Sequence, residues 1–148
     1  MPDVSAQFAA LIGRMTESIC GGAPEAAAAC FTEDGIYHDG FYGEFKGRNA
    51  IAEMVRRHFY GDAKDFAWAL SDVVSDGRIG YASYLFSYTA TMAGAEGRRI
   101  AFRGMSKVLL AGGLMQRYEE IFERAPVLAK LGFADARILK SVHKWARA

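Results

Sequence analysis

The chain has 148 residues, of which 51% are hydrophobic and 13% aromatic, and its 18 basic and 17 acidic residues leave a formal net charge of +1. This length predicts a single domain, residues 1–148, whose core is large enough to fold without a disulfide or a metal ion. The small, dispersed net charge argues against nucleic acid as a partner, and the sequence has no run of about 20 apolar residues that would span a membrane. The first residues lack the basic and apolar regions of a signal peptide, so we expect a cytoplasmic protein.

The first part of the chain predicts two helices. Apolar residues recur at three- and four-residue spacing over residues 4–19, which is typical of a helix with one buried face. Pro24 suits the first turn of a second, alanine-rich helix that runs into Phe31, because the N–H that proline lacks would have no partner there. We expect a turn at Asp34-Gly35 to stop this helix.

A brief strand at residues 36–39 is predicted next, and glycines break the residues after it into short strand stubs and turns. Asn49 is positioned to cap a third helix, whose apolar stripe includes His58 and which Gly61 ends.

From residue 65 onward, apolar and polar residues alternate with a period of two, and turn motifs divide the segment into strands. The four predicted strands span residues 65–75, 78–92, 98–110 and 114–123. Loops of hairpin length join them, which predicts an antiparallel, curved meander. Gly80 and Gly104 are candidate positions for a bend, a bulge or a close approach within these strands.

The chain ends in a turn of helix at residues 126–131 and an amphipathic helix with Trp145 on its apolar side. Three helices, four long strands and a C-terminal helix predict an α+β fold in which the helices pack on one face of a curved sheet.

The order of these elements, together with the sequences CFTEDGIYHDG, GEFKGRNAIAEMV and LMQRYEEIFER, resembles the nuclear transport factor 2-like superfamily. This superfamily includes SnoaL-like cyclases, ketosteroid isomerases and limonene epoxide hydrolases, and the resemblance covers nearly the whole chain. It implies a cystatin-like cone, in which the curved antiparallel sheet wraps around the N-terminal helices and encloses an apolar pocket. It also implies a homodimer through the convex face of the sheet. The fold does not by itself fix a function.

The resemblance to ketosteroid isomerases is incomplete at the residues that carry their chemistry. Asp39 lies where these enzymes have a general-base aspartate. The tyrosine and the carboxylic acid of their oxyanion hole correspond to Met15 and Ser106, and Met15 has no proton to donate. Steroid isomerase chemistry is therefore not expected.

The resemblance to limonene epoxide hydrolases is incomplete in the same way. Their tyrosine, asparagine and final-strand aspartate correspond to Tyr37, Asp39 and Glu120. Their arginine and second aspartate correspond to Tyr84 and Phe86, which carry no charge, so limonene epoxide hydrolase activity is not expected.

Strand alternation places most aromatic side chains on one face of the sheet, which we expect to line the pocket with help from the helices. The predicted ligand-binding residues are Trp68, Tyr84, Phe86, Tyr88, Phe102, Tyr118, Phe122, His58 and Met15. Such a lining suits a flat or cyclic hydrophobic ligand.

Asp39, Glu120 and Tyr37 are the predicted catalytic residues. A carboxylate in an apolar cavity loses hydration, so its pKa rises toward neutrality, and a second carboxylate facing the same cavity raises this pKa further. Asp39 could instead accept backbone N–H groups in the turn at Gly40, and Glu120 could pair with a neighbouring arginine such as Arg117 or face outward.

The histidines show no metal-ligand spacing, and Cys20 and Cys30 are isolated thiols, so neither a metal site nor a cofactor is expected. His38 alternates with Asp39 and is expected to face away from the cavity. His58 is either a core histidine or a proton carrier at the rim of the pocket.

Two classes of function follow from these residues. Two carboxylates in one aromatic cavity favour a cofactor-independent enzyme that transfers protons on a small hydrophobic substrate, as an isomerase, cyclase, dehydratase or hydrolase. Asp39 would then act as the base, and Glu120 or a tyrosine as the acid. The alternative is a non-catalytic protein that binds or carries a small hydrophobic molecule, or a dimeric scaffold. The sequence does not identify the substrate.

Overall fold

A computed structural model describes residues 3–148 of the chain. Helix α1 (Val4–Cys20) and the short α2 (Pro24–Ala28) precede two strands, β1 (Phe31–Asp39) and β2 (Gly43–Lys46). Helix α3 (Arg48–Met54) continues directly into a π-helical turn (Val55–Phe59). The remaining elements are β3 (Ala63–Ser75), β4 (Ile79–Ala90), β5 (Arg99–Ala111), β6 (Leu114–Phe122), α4 (Arg124–Lys130) and α5 (Asp135–Ala146).

The described strands form one curved sheet in the order β2-β1-β6-β5-β4-β3. Neighbouring strands are antiparallel except β1 and β6, which pair in parallel, so the sheet is mixed rather than purely antiparallel as predicted. The four long strands lie within a few residues of their predicted positions, and the α+β class with a cone-like arrangement of helices and sheet is confirmed.

The predicted helix-to-turn boundary before β1 is wrong. Helix α2 ends at Ala28, and the strand begins at Phe31 and passes through Asp34-Gly35 without a turn. The register with β6 shifts between Phe31 and Ile36, which marks a bulge at this point. Gly35 is needed there because a Cβ would lie within about 3 Å of the Thr32 and Met115 carbonyl oxygens.

The start of α3 also differs from the prediction. Gly47 is the N-cap residue and has a φ of 90°, so Asn49 lies in the first turn of the helix and does not cap it. The bulges of the long strands are not at glycines either. One lies where the β5–β6 register shifts after Leu109, and two lie in β3, where Asp65 and Asp72 have φ values of 54° and 52°. Aspartate adopts this left-handed conformation more readily than most residues.

The hydrophobic core consists of two clusters. The larger cluster joins α1 with α2, α3 and the inner face of the sheet, and Phe8, Ile12 and Ile19 are almost fully buried in it. Each such side chain stabilises the fold by roughly 1.5–3 kcal/mol. The smaller cluster joins α4 to the ends of β4 and β5. Side chains packed against both clusters line the cavity described next.

Candidate functional site

The inner face of the sheet and the C-terminal helices enclose a cavity of about 460 Å³. This volume lies within the range of small-molecule sites. Six of the predicted ligand-binding residues line it, namely Trp68, Phe86, Tyr88, Phe102, Phe122 and His58. The three predicted catalytic residues, Tyr37, Asp39 and Glu120, also line it.

Asp39 ends β1 with its carboxylate at the cavity wall. One oxygen, Oδ2, accepts hydrogen bonds from the backbone N–H groups of Phe41 and Tyr42 at 2.8 and 3.0 Å. The interpretation of Asp39 as a turn residue is therefore confirmed, and the same side chain also lines the cavity. Loss of hydration raises its pKa, and the two N–H groups oppose that rise by stabilising the charged form.

Glu120 lies on β6 and shares the cavity with Asp39. The hydroxyl of Tyr84 donates a hydrogen bond to Glu120 Oε2 at 2.5 Å. Loss of hydration and the nearby charge of Asp39 raise the pKa of Glu120 to about 8, although Tyr84 and the N–H of Gly40 act in the opposite direction. Glu120 is therefore protonated at pH 7.

An arginine partner for Glu120 is not found. No ion pair within residues 3–148 includes this carboxyl group. Arg117, the nearest predicted partner in sequence, contacts Glu119 and Glu44 instead, at 3.0 and 3.3 Å. Those two residues lie outside the cavity lining. The register of β6 is therefore the one in which the side chain of Glu120 faces the cavity.

Two residues that line the cavity carry a buried polar group with no hydrogen-bond partner among residues 3–148. These groups are the hydroxyl of Tyr37 and the indole Nε1–H of Trp68. Tyr37 is 0% exposed, and its burial together with the nearby carboxylates raises its pKa well above the ordinary tyrosine value. Its hydroxyl is therefore neutral at pH 7.

Three predicted ligand-binding residues do not line the cavity. Tyr84 lies behind Glu120 and holds its carboxyl group. Tyr118 is fully buried, and its hydroxyl pairs with that of Ser106 at 2.7 Å. Met15 is fully buried in the core on α1, because the apolar face of this helix packs against the sheet and leaves no opening there.

Of the two histidines near β1, His58 lines the cavity and His38 does not. His58 lies in the π-helical turn after α3, and its ring is 4.1 Å from that of Tyr42 at the cavity wall. Single π-turns of this kind often occur at functional sites, where they re-aim side chains. His38 is not in the cavity lining, and its Nδ1 lies 3.2 Å from the guanidinium of Arg117.

The sequence did not indicate the full role of the C-terminal helices. Residues of α5, including Arg137, Lys144 and Trp145, line one end of the cavity. The ring of Trp145 packs 6.2 Å from that of Phe41, and the guanidinium of Arg124 lies 4.1 Å above it. The amphipathic pattern placed Trp145 on the apolar side of this helix. No sequence pattern specifies which opening of the cavity a helix covers.

Among residues 3–148, no group of three or more His, Cys, Asp or Glu side chains is arranged to hold a metal ion. No helix within the same residues has the length and apolar character needed to cross a membrane.

The sequence matches the family model of the SnoaL-like domain over residues 12–118. No curated protein matches the sequence significantly.

Solved structures with a similar fold share little sequence identity with the chain. One is a hypothetical protein with a ketosteroid isomerase-like fold from Catenulispora acidiphila, solved in complex with trimethylamine. It has 17% identity, 84% of this chain and 93% of that chain are covered, and the TM-score is 0.75. A putative polyketide cyclase from Xanthomonas campestris has 20% identity over 86% of this chain and 98% of that chain, with a TM-score of 0.71. An epoxide hydrolase resembling limonene epoxide hydrolase, from M. tuberculosis, has 13% identity over 93% and 95%, with a TM-score of 0.70.

Proposed function

The chain belongs to the SnoaL-like family, and from the chemistry of its cavity we propose that it is an acid/base enzyme that moves a proton on a small hydrophobic substrate. The observation that carries this proposal is the pairing of Asp39 and Glu120 in one aromatic cavity. Their environments differ in a way that assigns them opposite roles.

Asp39 is the base. Its two backbone N–H donors stabilise the carboxylate, so it keeps its charge more readily than Glu120 does. The surrounding apolar groups leave this carboxylate poorly hydrated, which increases its tendency to accept a proton from a weakly acidic C–H group.

Glu120 is the acid. With a pKa of about 8, it holds a proton at pH 7 and delivers it within the cavity to the atom on which negative charge develops. Transfer of charge from Asp39 to the substrate removes the repulsion that keeps Glu120 protonated, so the two steps assist each other. The net reaction moves one proton between two positions of the substrate, as in an isomerisation or a cyclisation.

A non-catalytic carrier of a small hydrophobic molecule is the second candidate. The observation that favours it is the turn at Asp39, where two N–H groups give this carboxylate a structural role without chemistry.

A carbon-detected NMR titration of the side-chain carboxyl groups tests the proposal, with Asp39→Asn and Glu120→Gln used to assign the two resonances. We expect Glu120 to titrate near pH 8 and to shift toward its ordinary pKa in Asp39→Asn. If both groups titrate at or below ordinary values and neither responds to replacement of the other, the carrier function is favoured.

A further inference from the structure

We propose that the α5 end of the cavity binds the anionic group of the ligand, so that the substrate is a small hydrophobic carboxylate whose charged group lies beside Arg137 and Lys144. This inference rests on the proposed function for the choice of cavity, and it names the class of substrate and the residues that orient it.

One face of α5 forms a wall of the cavity. Four residues of this helix line it, namely Arg137, Ser141, Lys144 and Trp145. Residues at these spacings lie on one side of a helix, so the four form a single stripe. Lys140 lies outside the stripe and does not line the cavity. The stripe brings a guanidinium, a hydroxyl and an ammonium group to the same end of the cavity.

The guanidinium of Arg137 has a defined place at this end. Its Cζ atom lies 3.9 Å above the ring of Phe133, which also lines the cavity. Stacking uses the flat face of the guanidinium and leaves the N–H groups at its edge able to donate. Arg137 and Lys144 are both exposed, and no ion pair within residues 3–148 includes either of them. Both charges are therefore accessible to an anion that enters the cavity.

Charge is distributed unevenly around the cavity. Residues 124–148 contain six basic residues and one acidic residue, whereas the whole chain has a net charge of only +1. The acidic residues that line the cavity are Asp39 on β1, Glu120 on β6 and Asp62 before β3. The basic wall is therefore formed by α5 and the acidic groups belong to other walls. This arrangement favours a ligand that places its negative group at α5.

The aromatic residues at this end indicate what the charged group is attached to. The ring of Trp145 lies 6.2 Å from that of Phe41, which lies 5.3 Å from that of Phe122. Trp145 therefore joins the basic stripe to the aromatic lining. A carboxylate on a flat apolar body fits both parts, because its oxygens accept from the guanidinium and the ammonium while the body packs on the rings. A phosphate group brings more charge next to these rings and loses more hydration.

The stripe also directs the substrate toward the proposed base. The side chain of Phe41 packs near Trp145, and its backbone N–H donates to Asp39 at 2.8 Å. A ligand held by its carboxylate at α5 therefore extends its apolar body along Phe41 toward Asp39. In this assignment Arg137 and Lys144 are positioning residues and take no part in proton transfer.

The test uses 2-naphthoate as the probe and 2-naphthamide, which has the same rings and a neutral planar amide, as its control. Exposed ion pairs are weak, so the two basic residues together are expected to make 2-naphthoate bind about 3- to 10-fold more tightly than the amide. Added salt should reduce this difference. In the bound state we expect nuclear Overhauser effects between the ring protons beside the carboxylate and the side chain of Lys144.

Three variants with the same change of charge test the stripe. Arg137→Gln and Lys144→Gln are each expected to weaken 2-naphthoate about 2- to 5-fold and to leave 2-naphthamide unchanged. Lys140→Gln is the matched control on the same helix, and it should retain the affinity for both probes. Equal affinity for the two probes, failure of both to bind, or an equal loss in Lys140→Gln overturns the carboxylate site.

The outcome is separable from the proposed function, because the carboxyl titrations of Asp39 and Glu120 need no ligand. Preference for 2-naphthoate that depends on Arg137 and Lys144, together with uncoupled titrations, supports the carboxylate site and contradicts the enzyme. Coupled titrations without this preference contradict the carboxylate site and leave the acid/base pair.

Discussion

The rings of Tyr37 and Tyr118 stack with their centroids 4.7 Å apart, and both residues are 0% exposed, but their hydroxyl groups differ. The Tyr118 hydroxyl pairs with Ser106 at 2.7 Å, whereas the Tyr37 hydroxyl has no partner among residues 3–148. The same residue type in the same environment therefore makes a structural contact in one case and leaves a buried, unpaired hydroxyl in the other.

This difference predicts opposite effects of one substitution at the two positions. Tyr118→Phe leaves Ser106 unpaired in the core and is expected to lower the free energy of unfolding by about 1–2 kcal/mol. Tyr37→Phe removes an uncompensated buried hydroxyl and is expected to leave the free energy of unfolding unchanged or to increase it. Urea unfolding of both variants measures the two values. A loss of stability in Tyr37→Phe equal to that in Tyr118→Phe would show that the Tyr37 hydroxyl is bonded within the folded protein.

The raised pKa of Glu120 predicts how stability changes with pH. The unfolded chain releases the Glu120 proton near the ordinary glutamate pKa of 4.5, while the folded protein retains it up to about pH 8. Between these values the folded state binds more protons, so the free energy of unfolding falls as pH rises, by up to about 1.4 kcal/mol per pH unit. The side chain in Glu120→Gln has no proton to lose, so the free energy of unfolding of this variant is expected to change less between pH 5 and pH 8.

Glu44→Gln is the control for this measurement. Glu44 hydrogen-bonds Arg117, which lowers its pKa, so its contribution is present above its ordinary pKa and is lost as the pH falls through the lowered value. The free energy of unfolding of Glu44→Gln should therefore change with pH between pH 5 and pH 8 as steeply as that of the wild type. A Glu120→Gln variant with that same slope would contradict a protonated Glu120.

The sequence was sufficient to place the strands because period-two alternation and glycine-rich turns are local properties. The same alternation correctly turned Glu120 inward. It could not place Tyr84 behind Glu120 or Met15 in the core, because depth inside the cone depends on sheet curvature and helix packing. The bulges of β3 at Asp65 and Asp72 were also missed, because only the glycines were considered as bulge positions.

The free donors at Tyr37 and Trp68 illustrate the same limit. The sequence identified Trp68 as a ligand-binding residue and Tyr37 as a catalytic residue. Whether a hydroxyl or an indole N–H finds a partner depends on which atoms the fold brings within 3.5 Å, and strand pattern carries no information on that.

Gly104 leaves room on β5 for the ring of Tyr84, whose hydroxyl donates to Glu120. A Cβ at this position would clash with the ring and hydroxyl of Tyr84, the group that donates to Glu120. Gly104→Ala is therefore expected to displace Tyr84, to destabilise the protein by about 1–3 kcal/mol, and to raise the pKa of Glu120 further. Gly13→Ala is the control, because a Cβ there meets no atom within 4 Å and alanine favours helix α1. Thermal unfolding and the Glu120 titration distinguish the two variants. An unchanged Glu120 pKa in Gly104→Ala would contradict the coupling.

Asp39 stabilises a turn and is also the proposed base, and two substitutions separate these roles. Asp39→Asn retains an oxygen that accepts from the N–H groups of Phe41 and Tyr42, so the fold is expected to keep its stability. Asp39→Ala leaves both N–H groups unpaired and is expected to cost about 1–3 kcal/mol. Neither variant has a carboxylate at this position, so proton transfer on a bound substrate should fall about 100-fold or more in both. Proton transfer that persists in Asp39→Asn would identify another base.

The convex face of the sheet exposes apolar side chains that a second copy of the chain could cover. Five of the large exposed hydrophobic residues lie there, namely Val74, Tyr81, Leu85, Met105 and Ile121. Met105 and Ile121 are directly opposite each other in the β5–β6 register and are 55% and 82% exposed. Exposed apolar side chains on four adjacent strands are typical of an interface, and the homodimer remains our proposal for this face.

A charge on this surface tests the homodimer. Ile121→Lys would be buried in the proposed interface without a partner, so we expect a wild-type dimer to dissociate to monomers, as measured by sedimentation equilibrium. The matched control is Leu139→Lys on α5, where the side chain is 57% exposed and lies away from the sheet, and its mass should remain that of the dimer. Because the side chain of Ile121 points away from the cavity lining, carboxyl titration of the Ile121→Lys monomer should still show Glu120 near pH 8. A monomeric wild-type protein, or an Ile121→Lys variant that stays dimeric, would assign the apolar face to another role.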